Sequence, residues 1–278
     1  AFKFADTVLI LGVSGCIALP IFRLFGTTKV IVNIDGLEWK REKWGRFTKR
    51  FLKISERCAV KFAHIIITDN KALQSYVLET YGVESHFIAY GGNHAAKVEK
   101  NLHYLNKYKF LADKYAFKVC RIERENNIEL ILKAFREANF LNLVLVGNWH
   151  GNSFGKTLLD EYGNDKNLFL LDPIYDYNEI NVLRSNCFVY IHGHSAGGTN
   201  PSLVEAMNLD LPIISYDVDF NRNTTYNKSL YFKNKEQLVA ILNNLNNINL
   251  IEVSKELKLI AEKKYNWSKI SKQYSKLF

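Results

Sequence analysis

The chain has 278 residues, 47% of them hydrophobic and 23% charged, with a formal net charge of +9. That length suggests two domains of ordinary size or one large one, and the composition excludes a disordered or collagen-like chain. No window holds about 18 uncharged apolar residues, so a membrane-spanning helix is not expected; the longest candidate, Val8 to Phe22, is broken by Gly12, Gly15 and Pro20.

Read in chain order, apolar runs alternate with amphipathic stretches. Strands are expected over residues 7–11, 29–34, 64–68 and 86–89, and again over 116–120, 143–146, 168–171, 187–191 and 212–215. Many of these runs are continuously apolar and β-branched, as strands buried on both faces are. Helical patterns fall between them, for example over 127–138, 176–184 and 202–208. The alternation predicts an α/β fold of two Rossmann-like domains with parallel sheets and crossover helices. Only four strands precede Tyr90, whereas a doubly wound domain has about five or six. We therefore expect an N-terminal domain over residues 1–114 that is truncated, a more complete C-terminal domain over 115–262, and a terminal helix over 263–278 that returns to the first. The polar stretch 91–114 is the expected inter-domain passage.

Four cysteines, Cys16, Cys58, Cys120 and Cys187, lie far apart without a CxxC pair, which suits reduced thiols in a cytoplasmic protein. The basic excess is uneven. Residues 1–115 hold 18 Lys and Arg against 10 Asp and Glu, and the remainder hold 19 against 18. Such asymmetry suits an acidic partner for the first part, and equally a solvated basic face. The segment Trp39–Lys53 is dense in Lys and Arg, and Trp44, Phe47 and Phe51 are spaced to share a helical face. Two readings stay open: an interfacial helix on an anionic membrane surface, or a helix that packs its aromatics on the sheet and turns a basic face outward.

The most informative segment runs from Cys187 to Met207. A buried strand enters a glycine-rich turn, Asn200 suits a helix cap, and Pro201 suits the first helical position. Gly198 and Thr199 let a ligand approach the backbone, and the helix N-terminus at Asn200–Ser202 favours an anion. Glu205, one turn on, can accept hydroxyls from a ribose, or it can form a capping box with Ser202.

This segment resembles the signature of glycosyltransferase family 4, whose members are retaining enzymes of the GT-B fold. Glu205-Ala-Met matches the second of the family's two motif glutamates. Gly197 stands in the place of the first. His192-Gly-His-Ser-Ala-Gly-Gly-Thr-Asn-Pro-Ser resembles the variant found in rhamnosyltransferases of bacterial capsule and cell-wall polysaccharide assembly. So do Asn33-Ile-Asp-Gly-Leu-Glu-Trp-Lys-Arg, Arg121-Ile-Glu-Arg-Glu-Asn-Asn and Asp172-Pro-Ile-Tyr-Asp.

The resemblance implies a transferase that needs no cofactor or essential metal and takes a nucleotide sugar, dTDP-rhamnose as first choice. It implies a saccharide acceptor, lipid-linked, at the inner face of the plasma membrane. Arg121 would face the donor diphosphate, a task its guanidinium suits, unless it pairs with Glu123 or Glu125. The family's following lysine falls at Asn126 or Asn127. Ile174 would hold the base through main-chain groups. Read from the residues themselves, Gly147 at a strand end lets a backbone approach the nucleotide, and Arg222 either reaches the phosphates or belongs to a polar surface loop. Asn33, Asp35 and Glu38, after one strand, and Asp69 with Asn70, after the next, are expected on the acceptor side, with Asp35 and Arg121 as the catalytic candidates. Gly12-Val-Ser-Gly15 is a weak candidate for an anion. His192 and His194 lack the further ligands that a metal site needs. The rival readings are a nucleotide-sugar-binding subunit without turnover and a nucleotide-sugar epimerase of related architecture. Nucleic-acid binding has charge alone in its favour and no recognised module.

Overall fold

The computed structural model describes residues 5–278, which divide into two units. The first comprises the chain up to Tyr90, the turn Ala196–Asn200 and the terminal stretch Trp267–Phe278; the second comprises Gly91–Ser195 and Pro201–Asn266. Residues 91–114 thus fall in the second unit and carry a short helix, so they are more than a passage.

In the first unit the chain alternates β1 (Thr7–Leu11), α1 (Leu19–Phe25), β2 (Lys29–Ile34), α2 (Arg46–Phe62), β3 (Ile65–Thr68), α3 (Lys71–Tyr81) and β4 (His86–Phe87). The four strands are parallel and lie in sequence order. Strand β2 is mostly apolar because both of its faces are covered. Val30, Val32 and Ile34 pack with Ala59, Val60 and Val77 of α2 and α3. Ile31 packs with Ile67, Ile88 and Ile270.

The second unit opens with α4 (Leu102–Lys107). It continues through β5 (Tyr115–Val119), α5 (Ile128–Ala138), β6 (Asn142–Val146), α6 (Ser153–Tyr162), β7 (Leu168–Leu171), α7 (Tyr177–Ser185) and β8 (Val189–His192). Helix α8 (Pro201–Asn208), β9 (Ile213–Tyr216), α9 (Asp219–Thr225), β10 (Leu230–Phe232), α10 (Lys235–Asn243) and α11 (Leu250–Lys264) follow. Helix α12 (Trp267–Ser275) returns to the first unit, where Ile270 joins its core and the Tyr274 hydroxyl accepts from Asn33 Nδ2 at 3.1 Å.

The second sheet is parallel in the order β10-β9-β8-β5-β6-β7. It holds one strand more than the sequence pattern predicts, the three-residue β10. The order reverses between β5 and β8, and such a switch point is where open α/β sheets bind their ligands. Asparagine and aspartate side chains cap several of the helices; those of Asn152 and Asp176 accept backbone N–H bonds at the starts of α6 and α7.

Candidate active site

At the switch point of the second unit two loops are stitched together. Asn127, in the left-handed conformation at φ 51°, donates from Nδ2 to the Gly193 carbonyl at 2.8 Å. His194 Nδ1 and Asn126 Oδ1 are 3.1 Å apart, and the Ser195 N–H donates to the Glu125 carbonyl at 2.8 Å. Asn126 and Asn127 therefore hold backbone, which accounts for amides at positions where the resemblance would place a lysine.

Arg121 heads the first of these loops and is exposed. No ion pair to Glu123 or Glu125 occurs among the described residues, so its guanidinium stays available to an anion. Below it, Lys118 is 1% exposed on β5, with its Nζ 3.2 Å from where a Cβ on Gly193 would lie. Burial lowers its pKa, and the neighbouring Cys120 thiol offsets part of that effect. His192, also buried, is held well below its ordinary pKa by loss of hydration and then by Lys118 and His194, so it is neutral. Among the described residues no group of three or more His, Cys, Asp or Glu could hold a metal ion.

Helix α8 begins at Pro201, which places Ser202 inside it and rules out Ser202 as the cap of a capping box. The carboxylate of Glu205 is used otherwise. Arg184 Nη1 donates to its Oε2, and His94 Nε2 lies 2.9 Å from its Oε1. Arg184 is nearly buried, with its side chain 6% exposed, while that of Glu205 is 16% exposed. One edge of the carboxylate thus faces the interior and the other faces outward.

In the first unit the turn Ala196–Asn200 meets the ends of β2 and β3. A Cβ on Gly198 would lie 1.8 Å from Asp69 Oδ1, and a Cβ on Gly36 would lie 3.0 Å from Gly197 Cα. Gly197 itself has φ 119°, a value that L side chains rarely adopt, so a glutamate has no place there. Thr199 donates from Oγ1 to the Asp69 carbonyl at 2.5 Å and receives Asn70 Nδ2 at 3.4 Å. Asp69 is 1% exposed, and neither carboxyl oxygen has a well-formed hydrogen bond among the described residues. Desolvation raises its pKa well above the ordinary value; the Thr199 amide offsets part of this and the Asp35 charge adds to it. Asp35 is half-buried and is raised in the same direction, again first by desolvation. Tyr90 and Tyr274 lie close enough for both carboxyls to raise their pKa values further.

Residues 104–266, more than half of the chain, match the family Glycosyl transferases group 1. The chain belongs to this family. It is a glycosyltransferase. Residues 18–93 match a domain of unknown function, DUF1972. No curated protein sequence matches the chain. Among solved structures, sucrose-phosphate synthase of Thermosynechococcus elongatus superposes with a TM-score of 0.82 at 16% identity, over 98% of this chain and 72% of that one. Anabaena HepE in complex with UDP-glucose gives 0.81 at 14% identity, over 98% and 78%. α,α-Trehalose-6-phosphate synthase of Burkholderia multivorans gives 0.76 at 11% identity, over 98% and 69%. These likenesses establish the GT-B fold, with its two parallel-stranded α/β units.

Several residues of this group 1 glycosyltransferase have roles that the sequence does not show. At Gly147 a Cβ would lie 2.4 Å from Ile122 Cδ1 and 2.7 Å from the Cys120 carbonyl, so protein rather than ligand fills the space beside it. Arg222 is committed to Asp217 through Nε and Nη2 and stacks on Tyr231 at 4.2 Å. Glu38 pairs with Arg41 at 2.6 Å. Ile174 is half-buried in the irregular stretch between β7 and α7. Gly12 faces Asp35 Oδ1, 3.6 Å from its Cβ position, and a carboxylate there disfavours an anion. Asn33 and Asp35, at the end of β2, gather with Asp69 around Tyr90 and Tyr274. Glu205 and Arg121 stand in the second unit. Arg184, His94 and Lys118 were not legible from motif spacing: the first two matter through a partner distant in sequence, and the third is a lone lysine in an apolar strand.

Proposed function

We propose that the protein transfers rhamnose from dTDP-rhamnose, with retention at the anomeric carbon, to a lipid-linked saccharide in the synthesis of a bacterial surface polysaccharide. The observation that carries this reading is the pairing, in one group 1 glycosyltransferase unit, of an exposed and uncommitted Arg121 at the switch point with Glu205 one turn into α8. In this reading Glu205 takes the donor's pentose and the main chain near Ile174 takes the base. Gly198, Thr199, Asn200 and Ser202, where the glycine-rich turn enters α8, line the phosphates and the transferred sugar. Arg121 and the N-terminus of α8 stabilise the negative charge that builds on the departing phosphate. The acceptor hydroxyl attacks the anomeric carbon as the bond to the leaving phosphate breaks, and a phosphate oxygen takes the hydroxyl proton. That a structural neighbour, HepE, is found with UDP-glucose supports a nucleotide sugar as the donor.

On the acceptor side stand Asn33, Asp35 and Asp69, three polar groups around two tyrosines. A protonated Asp69 can donate to a sugar oxygen and Asp35 can accept from a hydroxyl. Delivery of a lipid-linked acceptor fits the surface of α1 and α2. The packed side of α2 is Leu52, Ser55, Glu56, Ala59 and Val60, which leaves Phe47 90% exposed and Phe51 and Ile54 beside it also exposed. Ile21, Phe22 and Leu24 of α1 are exposed as well. Phe47 and Phe51 thus face away from the sheet, whereas Phe62 at the end of the helix packs against its core. Trp44 precedes the helix and takes no part in its face. Lys43, Arg46 and Arg50 stand among these side chains, as a peripheral helix on an anionic membrane requires. No helix among the described residues is long and apolar enough to cross a membrane.

The reading is tested by incubating the protein with a panel of nucleotide sugars and a lipid-linked saccharide acceptor, and reading the anomeric configuration of the product by NMR. Turnover with dTDP-rhamnose and a product that keeps the anomeric configuration of the donor are expected. Donor binding without acceptor-dependent turnover would favour the non-catalytic subunit, a reading that Gly197 in the motif's first position also suits. Release of an altered sugar without acceptor would favour an epimerase.

A further inference from the structure

Resting on the assignment of Glu205 to the donor pentose, we propose that His94 makes this site selective for 2′-deoxyribonucleotide over ribonucleotide donors. A free carboxylate facing a ribose accepts the two vicinal hydroxyls, one on each oxygen. The carboxylate of Glu205 is not free in this sense. Its Oε2 is bound from the interior by Arg184, and its Oε1 is met by His94 Nε2 at 2.9 Å.

His94 is fixed in this place by contacts on both sides. Its ring stacks on Tyr177 with centroids 6.4 Å apart at an interplanar angle of 25°, and the Tyr177 hydroxyl donates to its carbonyl. Two residues earlier the chain is seated on the helix that carries Glu205. A Cβ on Gly92 would lie 2.3 Å from the Val204 carbonyl and 2.7 Å from Asn208 Nδ2, and the Gly92 N–H donates to the Tyr265 carbonyl at 2.9 Å. The backbone that leads into His94 is therefore seated on α8, the helix that carries the carboxylate.

What remains of the outward carboxylate edge accepts one hydroxyl. Every nucleoside diphosphate supplies a 3′-hydroxyl for it. A 2′-hydroxyl finds the imidazole in its place, and it loses water without gaining an acceptor. Burying an unmade hydrogen bond is costly, more so beside a charged group. The site thus rejects the extra hydroxyl of ribose, which suits a deoxythymidine donor and disfavours a uridine one.

UDP and dUDP differ only in the 2′-hydroxyl and are the probes. Calorimetric titration of the whole chain is expected to give dUDP an affinity about tenfold above that of UDP, the scale of one hydrogen bond lost beside a charged group. His94→Ala, its fold checked by circular dichroism, should close that gap through tighter UDP binding. Glu205→Gln should weaken both ligands. Equal or tighter binding of UDP by the unmodified protein, with Glu205→Gln still weakening both, overturns the selectivity and leaves the pentose assignment standing. A gap that persists in His94→Ala overturns the role of His94. If Glu205→Gln weakens neither ligand, the pentose assignment falls and the proposal falls with it.

Discussion

Nη1 of Arg184, near the end of α7, donates to Oε2 of Glu205 on α8, and the pair sits largely out of water. Removing one member of such a pair leaves the other charged and poorly solvated. Arg184→Ala should therefore destabilise the fold by about 3 kcal/mol. Glu205→Gln, which keeps an acceptor for the guanidinium, should cost less than half of that. Thermal unfolding of the two variants checks the order.

Gly198 and Asp69 are coupled by contact. A Cβ at residue 198 would overlap Asp69 Oδ1 at 1.8 Å, so Gly198→Ala must displace either the turn or the carboxyl. Overpacking of this kind costs about 1–3 kcal/mol. Truncating the carboxyl in Gly198→Ala/Asp69→Gly should return most of the loss. A double-mutant cycle by denaturant unfolding gives the coupling, and additive effects would show that the two do not meet.

Asp69 also sets a pH dependence. Its folded pKa is raised above the unfolded value, chiefly by desolvation. Its contribution is therefore fully present below the unfolded pKa of about 4 and is lost as pH rises through the folded value. Asp69→Asn, which stays neutral, should match the unmodified protein near pH 4 and become the more stable of the two toward pH 8. Melting temperatures across that range provide the check.

The sheets were legible in the sequence because strands such as β2 and β6 are buried on both faces and centre on continuous apolar runs, Val30–Val32 and Leu143–Val146. Strand β10 was missed: three residues between Ser229 and Lys233 are too few for a period, and its place is set by pairing with β9. Glu205 and Arg121 stood out by motif and by place after a strand. Arg184 read only as the end of an amphipathic helix, because its partner lies 21 positions away. His94 lay in a polar stretch with no pattern of its own. Gly147 and Arg222 read as ligand contacts, yet their surroundings are protein: only the packed loops show that Ile122 fills the first site and Asp217 holds the second.

Arg121 carries charge without a structural partner among the described residues, so its loss should separate function from stability. Arg121→Gln should change stability by no more than about 0.5 kcal/mol while lowering turnover about 10²–10³-fold, as removal of one transition-state donor does. Arg121→Lys should lower kcat more than it raises KM, because the planar fork matters most when charge has developed. Steady-state kinetics alongside thermal melts test both.

Membrane docking through α1 and α2 predicts sedimentation with vesicles that contain phosphatidylglycerol and not with neutral ones. Each Lys or Arg near an anionic surface contributes about 1 kcal/mol, and the attraction fades beyond a Debye length. Replacing Lys43, Arg46 and Arg50 with Gln should abolish sedimentation at moderate salt. Phe47→Ser should weaken it at any salt, because the ring supplies apolar burial rather than charge.

The central claim is that Glu205 holds the donor. Calorimetric titration of dTDP-rhamnose into the unmodified protein and into Glu205→Gln tests it most directly. The account predicts saturable binding that the substitution weakens by about 1–3 kcal/mol, the scale of a hydrogen bond to a charged group, with the fold intact by circular dichroism. Equal affinity in the two proteins would contradict it.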